Sequence, residues 1–171
     1  MDLRIVKTRR NIREAFIQLR ADTPLEKIRV TELCKLAMIN KTTFYKHYEN
    51  IYALSDEIED ESIQAIMDSF AHMDALFSEP ERFVKGMYYA FKSHEALIQT
   101  LFFGRLNVLI DKIEAQLETH YLLNESPQKD ITISFLFLGA AQVLTSSRYD
   151  ETILLDTVAE ITKQVIVQMA L

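Results

Sequence analysis

Apolar residues recur at helical spacing from the beginning of the chain. The positions i, i+3, i+4 and i+7 of one helical face are occupied by Ile12, Ala15, Phe16 and Leu19. This spacing predicts a helix over about residues 4–21. Thr23 and Pro24 close the helix, because a residue that precedes a proline is pushed out of the helical region. The opposite face of the helix carries Arg9, Arg10, Arg13 and Arg20.

Two shorter helices are predicted next. Thr31 has an N-cap side chain, and the helix that it begins ends near Ala37. Residues 38–40 form a tight turn, and Asn40 is the N-cap of a third helix over about residues 41–48. The inward side of this third helix carries Phe44 and Tyr48. Three short helices with such a turn between the last two predict a helix-turn-helix.

The rest of the pattern predicts longer helices. They cover about 51–70, 80–92, a stretch from 93 to Gly104, 105–122, 128–147 and 151–171. One apolar stripe of the last helix consists of Leu154, Val158, Ile161, Val165 and Met169. The chain has only 3 glycines and 3 prolines among 171 residues, too few for the many turns of a sandwich, barrel or doubly wound fold. We therefore expect an all-α protein of about nine helices.

The formal net charge of −6 conceals a division along the chain. Residues 1–50 carry 11 Lys and Arg against 6 Asp and Glu, whereas residues 51–171 carry 8 against 19. A basic head joined to an acidic body is typical of a nucleic-acid module with an effector or partner module. We interpret the acidic run 56–61 as a solvated face that repels phosphate.

Neither export nor membrane insertion is indicated. The first residues lack the apolar stretch of a signal peptide. The most apolar run, 131–144, is shorter than the roughly 20 residues that span a bilayer. We therefore expect a cytoplasmic protein.

The third predicted helix has the chemistry of a DNA-reading element. All its outward side chains can donate a hydrogen bond and none is acidic; they are Lys41, Thr42, Thr43, Tyr45, Lys46 and His47. A lysine in the first turn opposes the helix dipole, but it suits a phosphate or guanine edge that approaches that end. The alternative interpretation is an ordinary solvated basic face.

The stretch over residues 28–54 reads IRVTELCKLAMINKTTFYKHYENIYAL. It resembles the DNA-binding signature of the TetR/AcrR family of bacterial transcription regulators. Thr31 matches the start of the family's second helix, residues 37–40 match its turn, and residues 43–48 match its Thr-aromatic-Tyr-x-His-aromatic recognition helix. The resemblance covers about residues 7–54 and implies a DNA-binding head over 1–50 and an effector-binding, dimerising body over 51–171.

The resemblance also implies residue roles. The positions that contact phosphates are Thr31, Thr43, Tyr45 and His47. The positions that face base edges or nearby phosphates are Lys41, Thr42 and Lys46. Two departures matter: Met38 stands where the turn usually has glycine, and no lysine stands at the start of the fourth helix, where Tyr52 could replace its phosphate contact.

The helix at 131–144 is apolar on nearly all sides, which requires burial of both faces. One face can cover the body and the other can meet a second subunit, together with the final helix. The predicted homodimer interface consists of Phe135, Leu138, Gly139, Gln142, Val158, Ile161 and Val165. Complete burial within one subunit is the alternative.

Aromatic and methionine side chains of the body could line a pocket for a small-molecule effector. The candidates are Phe70, Met73, Phe83, Met87, Tyr88, Phe91 and Phe102. Ordinary core packing is the alternative. His72, His94 and His120 lack the spacing of metal ligands, so no metal or other cofactor is expected. Cys34 is interpreted as a buried small hydrophobe.

These observations predict a sequence-specific DNA-binding regulator, most simply a dimeric repressor of a palindromic operator, whose DNA affinity a small molecule changes. A different class remains open: an adaptor or coactivator that uses the head to hold another protein. An enzyme is the weakest option, because no catalytic set is visible.

Overall fold

A computed structural model describes residues 3–70, 73–121, 126–145 and 148–169. In these residues the protein has nine α-helices and no strand, as the pattern predicts. The helices are α1 (Leu3–Asp22), α2 (Val30–Leu36), α3 (Lys41–Tyr45), α4 (Ile51–Ser69), α5 (Pro80–Ser93), α6 (Glu95–Phe102), α7 (Leu106–Tyr121), α8 (Pro127–Leu144) and α9 (Glu151–Met169). Short 3₁₀ helices cover Leu25–Lys27 and Met73–Leu76.

The chain forms two compact units. The first contains Met1–Ser62 together with Ala96–Gly104, and the second contains Ile63–Glu95 together with Arg105–Leu171. The first unit therefore includes all of α6 except Glu95, and most of α4, in addition to the predicted head. The functional division into 1–50 and 51–171 stays a prediction.

The core of the first unit comes from α1, α2, α3 and α4. Fully enclosed side chains include Ile12, Phe16, Leu33, Phe44, Leu54 and Ile58. In the second unit α5 packs mainly against α9, and α8 lies against both α7 and α9. Its enclosed side chains include Ile63, Ile66, Phe83, Val84, Leu109 and Leu154.

Several predicted boundaries are corrected. Helix α2 begins before Thr31, because the carbonyl of Arg29 already accepts hydrogen bonds from the amides of Glu32 and Leu33. Helix α3 ends at Tyr45, after which hydrogen-bonded turns lead to Tyr48. Thr31 is therefore an exposed residue of the first turn of α2 and not its N-cap.

The predicted stripe of α9 is only partly correct. Leu154 and Val158 are buried, but Ile161 is 51% exposed and Val165 is half-buried. The inward positions in the second half of the helix are Thr162 and Ile166. The stripe thus follows a different row of side chains, and the side chain of Met169 lies outside the described residues.

Candidate nucleic-acid interface

Helix α3 is held at its start by Asn40, as the sequence predicts. The side-chain Oδ1 of Asn40 accepts a hydrogen bond of 2.7 Å from the amide of Thr43 and one of 2.9 Å from its hydroxyl. The first of these bonds satisfies one of the amides that a helix leaves without a partner at its N-terminus. A helix of only five residues thereby has a defined first turn.

The turn before α3 has the geometry that glycine normally supplies, with Met38 in its place. The backbone of Met38 is left-handed at φ 53°. Its amide bonds to the carbonyl of Lys35 and the amide of Ile39 bonds to the carbonyl of Cys34, which is the Schellman arrangement of a helix C-terminus. The turn therefore keeps its hydrogen bonds although the methionine is strained in the left-handed conformation. The side chain of Met38 is 90% exposed.

The structure separates the two faces of α3 as predicted. Phe44 is completely buried and Tyr48 nearly so. The exposed positions are Lys41, Thr42, Tyr45 and Lys46, whereas Thr43 and His47 are half-buried. The ring of Tyr45 stands edge-on to Phe44, with ring centres 5.4 Å apart. The outward face thus carries two lysines and a tyrosine on a well-anchored backbone.

Behind α3, one carboxylate joins three elements. Oε1 of Glu57, in α4, accepts hydrogen bonds from Nη2 of Arg9 at 2.6 Å and from the hydroxyl of Tyr48 at 2.8 Å. Nη1 of Arg13 lies 3.5 Å from the same oxygen. Burial acts to raise the pKa of Glu57, but the bonds from Arg9 and Tyr48 outweigh it and hold that pKa below its ordinary value. We call these four residues the Glu57 cluster.

The Glu57 cluster corrects two expectations about charge. Arg9 and Arg13 belong to the face of α1 that the sequence placed opposite its apolar side, yet both are paired with α4. Nη2 of Arg13 also lies 2.5 Å from Oε2 of Glu61, with which it forms an ion pair. The acidic run is accordingly not a simple solvated face, since Glu59 is completely buried and accepts a hydrogen bond from Ser55.

Arg20 was expected on the outer face of α1 but is buried. Its Nη2 donates to the carbonyl of Leu101 in α6 at 2.7 Å, and its Nη1 donates to the carbonyl of Thr23 at 2.8 Å. Arg20 thereby binds the last turn of α6 to the end of α1. The spacing does indicate that Arg20 lies on the apolar face, because residue 20 is four positions after Phe16 and eight after Ile12.

The start of α4 lies next to α3 in the chain. Oδ1 of Asn50 accepts a hydrogen bond of 2.9 Å from the amide of Ala53 and caps the helix. Tyr52 is 55% exposed in the first turn. An exposed hydroxyl therefore stands at the position where the resemblance showed that the family's lysine is missing.

Four of the predicted pocket residues do come together in the second unit. A small cavity is lined by Phe70, Phe83, Met87 and Phe91, and also by Ile66, Met67, Ala90, Ile113 and Phe137, which sequence reasoning missed. The hydroxyl of Tyr88 instead donates a hydrogen bond of 3.2 Å to Oε2 of Glu151. Phe102 belongs to the first unit. The side chain of Met73 lies outside the described residues, as does all of His72.

The predicted dimer residues divide into two groups. Phe135 is 75% exposed, and Leu138, Gly139 and Gln142 follow it on the same exposed row of α8. On α9, Ile161 is exposed, Val165 is half-buried and Val158 faces the interior of the unit.

Within the described ranges, no group of three His, Cys, Asp or Glu side chains is placed to hold a metal ion. Over the same ranges, no helix has the length and apolar character needed to cross a membrane. Cys34 is buried, as expected, and this burial raises the pKa of its thiol.

The class defined by these features is an all-α protein with a helix-turn-helix head. Its structure is similar to a transcriptional regulator of the TetR/AcrR family from Aquifex aeolicus VF5, with a TM-score of 0.56 and 19% identity over 95% of this chain and 99% of that one. It is also similar to a protein described as a TetR family transcription regulator from Shewanella sp. PV-4, with a TM-score of 0.55 and 15% identity over 92% and 96%.

At such identities the likeness concerns the fold, and this chain has the fold of TetR/AcrR-family regulators. No family model matches the sequence, and no curated protein matches it. The resemblance first noted over residues 28–54 is thus joined by a likeness in fold that extends over most of the chain.

Proposed function

We propose that this protein is a sequence-specific DNA-binding regulator of transcription that acts in the cytoplasm. The observation that carries the proposal is the exposed face of α3, which has hydrogen-bond donors and no acid and stands on a capped, anchored helix. The fold shared with two described regulators supports the same conclusion. A short helix of this kind enters the major groove, where donors meet base edges and phosphates.

The proposed contacts follow the exposure of each side chain. Lys41, Thr42 and Lys46 face base edges or nearby phosphates. Phosphate contacts come from Thr31, Thr43, Tyr45 and His47, with Tyr52 as an added donor at the start of α4. Because Arg9 and Arg13 are paired with α4, the affinity for phosphate depends mainly on the lysines and hydroxyls of this face.

The proposal includes a homodimer formed through α8 and α9. The exposed row of α8 presents Ile131, Phe135 and Leu138, all apolar, and Gly139 permits close approach of a second helix. Exposed apolar rows of this kind are typical of protein interfaces. Two heads related by a two-fold axis would read a palindromic operator whose half-sites lie about 34–36 Å apart.

We further propose that the protein acts as a repressor and that a small molecule bound in the second unit lowers its operator affinity. The cavity at Phe70, Phe83, Met87 and Phe91 is the candidate effector site. The proposed link between this cavity and DNA binding is supported by α4. The cavity lies at the end of this helix, and the same helix carries Glu57, which bonds to Tyr48.

The test is a gel-shift titration against DNA from upstream of the protein's own gene. Tyr45→Ala and Lys46→Ala are each expected to reduce affinity about tenfold or more, at the roughly 1–3 kcal/mol of a good base or phosphate contact. Tyr149→Ala and Lys163→Ala are matched controls, because these are an exposed tyrosine and an exposed lysine of the second unit.

Unchanged affinity in both α3 variants would refute the assignment of this face. A folded dimer that shifts no DNA, specific or competitor, would favour the adaptor, in which the same face holds a protein. Specific binding should also weaken steeply with salt, because each phosphate contact releases counterions.

A further inference from the structure

The ring of Phe70 lies directly against the backbone of Gly86. A Cβ atom built on Gly86 would lie 2.6 Å from Cε2 of Phe70, well inside van der Waals contact. Gly86 is in the interior of the 14-residue helix α5, where glycine is less favourable than alanine by about 1 kcal/mol. The close approach of the Phe70 ring therefore explains why this helix has a glycine at this position.

Phe70 also forms one wall of the apolar cavity. Its ring meets Phe83 edge-on with centres 5.0 Å apart, and Phe83 meets Phe137 in the same way at 5.8 Å. Every residue that lines the cavity is aliphatic, aromatic or a methionine. A charged or strongly polar ligand would lose its hydration there without gaining a partner, so the lining selects uncharged, apolar molecules.

The cavity as it stands is too small for such a ligand. Its free volume of about 10 Å³ is close to the space of one water molecule. A ligand with a single ring therefore needs a wall side chain to move. The other lining residues belong to helices α4, α5, α7 and α8, whereas Phe70 directly follows the last residue of α4.

We propose that the cavity takes an uncharged apolar ligand about the size of one aromatic ring, and that this ligand occupies the place of the Phe70 ring. The displaced ring leaves Gly86 and changes the position of the C-terminal end of α4. The link to DNA rests on the proposed function, because it takes this ligand as the effector of operator binding. The binding event itself does not depend on DNA.

The first experiment measures the melting temperature of the full-length protein with toluene and with benzoate at equal concentration. Toluene is expected to raise the melting temperature because it binds only the folded state, and benzoate, of similar size but charged, is expected to leave it unchanged. Equal effects of the two compounds, or no increase with toluene, would overturn the proposed ligand class.

The second experiment compares toluene binding to the wild type and to Phe70→Ala by titration calorimetry. The alanine variant has space without displacing a ring, so toluene should bind about tenfold more tightly or better. Phe70→Leu, which keeps more of the core, is the companion variant if Phe70→Ala unfolds, and it should show a smaller gain. Equal affinity in the wild type and in the folded variant would show that Phe70 is not displaced.

The third experiment compares Gly86→Ala with Glu81→Ala, a change to alanine at an exposed position of the same helix α5. Gly86→Ala should push the ring from its place and reduce operator affinity about tenfold without ligand, whereas Glu81→Ala should not. Sedimentation confirms that both variants keep the association state of the wild type. Equal operator affinity in the wild type and Gly86→Ala would contradict the proposed effect of the Phe70 ring on operator binding through α4.

If no operator is bound at all, the proposed function fails, and the first two experiments still decide the ligand class and the role of Phe70. If the operator is bound but toluene is not, the ligand proposal fails alone.

Discussion

The hydroxyl of Tyr48 donates a hydrogen bond of 2.8 Å to Glu57, and this bond joins the turn that follows α3 to α4. Burial, followed by this bond to the carboxylate, raises the pKa of Tyr48 above its ordinary value. The guanidinium of Arg9 bonds to the same oxygen and lies 5.9 Å from the centre of the Tyr48 ring. The Glu57 cluster thus sets the position of α3 relative to α1 and α4 within the first unit.

We expect Tyr48→Phe to lower the free energy of unfolding by about 1–2 kcal/mol, since it removes a part-buried hydrogen bond to a charged group and little else. Urea titration followed by circular dichroism measures the change. Tyr52→Phe removes an exposed hydroxyl from the same unit and should change stability by less than about 0.5 kcal/mol. A loss of the same size in both variants would contradict the role of the Tyr48–Glu57 bond.

The stability of the protein should depend on pH through Glu57. The folded-state pKa of Glu57 lies below its ordinary value of 4.5, so its contribution is complete above that value and is lost as pH falls through the folded pKa. Glu57→Gln should therefore reduce stability at neutral pH and flatten the decrease of stability below about pH 5. Urea titrations of the wild type and of Glu57→Gln from neutral to acidic pH test this prediction. If the free energy of unfolding falls with pH in parallel for the two proteins, the role of Glu57 is ruled out.

Met38→Gly should stabilise the protein by about 1 kcal/mol, because glycine adopts φ 53° without the strain of a side chain. Part of the gain is offset by the greater entropy of glycine in the unfolded chain. Ala37→Gly is the matched control one residue earlier, where the backbone is right-handed and the change should destabilise. Melting temperatures of the two variants should therefore move in opposite directions.

Arg20→Met should cost about 3 kcal/mol, since it leaves the carbonyls of Thr23 and Leu101 without a buried donor. Arg10→Met, at an exposed position of α1, should cost less than about 0.5 kcal/mol. Chemical denaturation compares the two. Equal small losses would mean that the attachment of α6 to α1 does not depend on Arg20.

Phe135→Asp should convert the proposed dimer to a monomer at micromolar concentration, because it places a charge in the centre of the proposed interface. Analytical ultracentrifugation gives the association state. Phe103→Asp is the control. Phe103 is also highly exposed, but it lies between α6 and α7 in the first unit. A Phe135→Asp protein that stays dimeric would place the interface elsewhere.

The sequence alone determined the features that depend on neighbouring residues. Asn40 caps α3 through a residue three positions on, and Phe44 and Tyr48 share the inward face because they are four apart. The scarcity of glycine and proline likewise indicated an all-α chain. Such features follow from hydrogen bonds and spacing within a few residues, and a linear pattern contains them.

Only the tertiary structure decided the partners of the charged and aromatic side chains. Arg9 meets Glu57 across 48 positions and Arg20 meets Leu101 across 81, so both arginines leave the open basic face that their spacing had suggested. The contact of Phe70 with Gly86 also depends on how the end of α4 packs on α5. Such contacts require the angles and distances between helices, which arise from burial summed over the whole unit and from no local pattern.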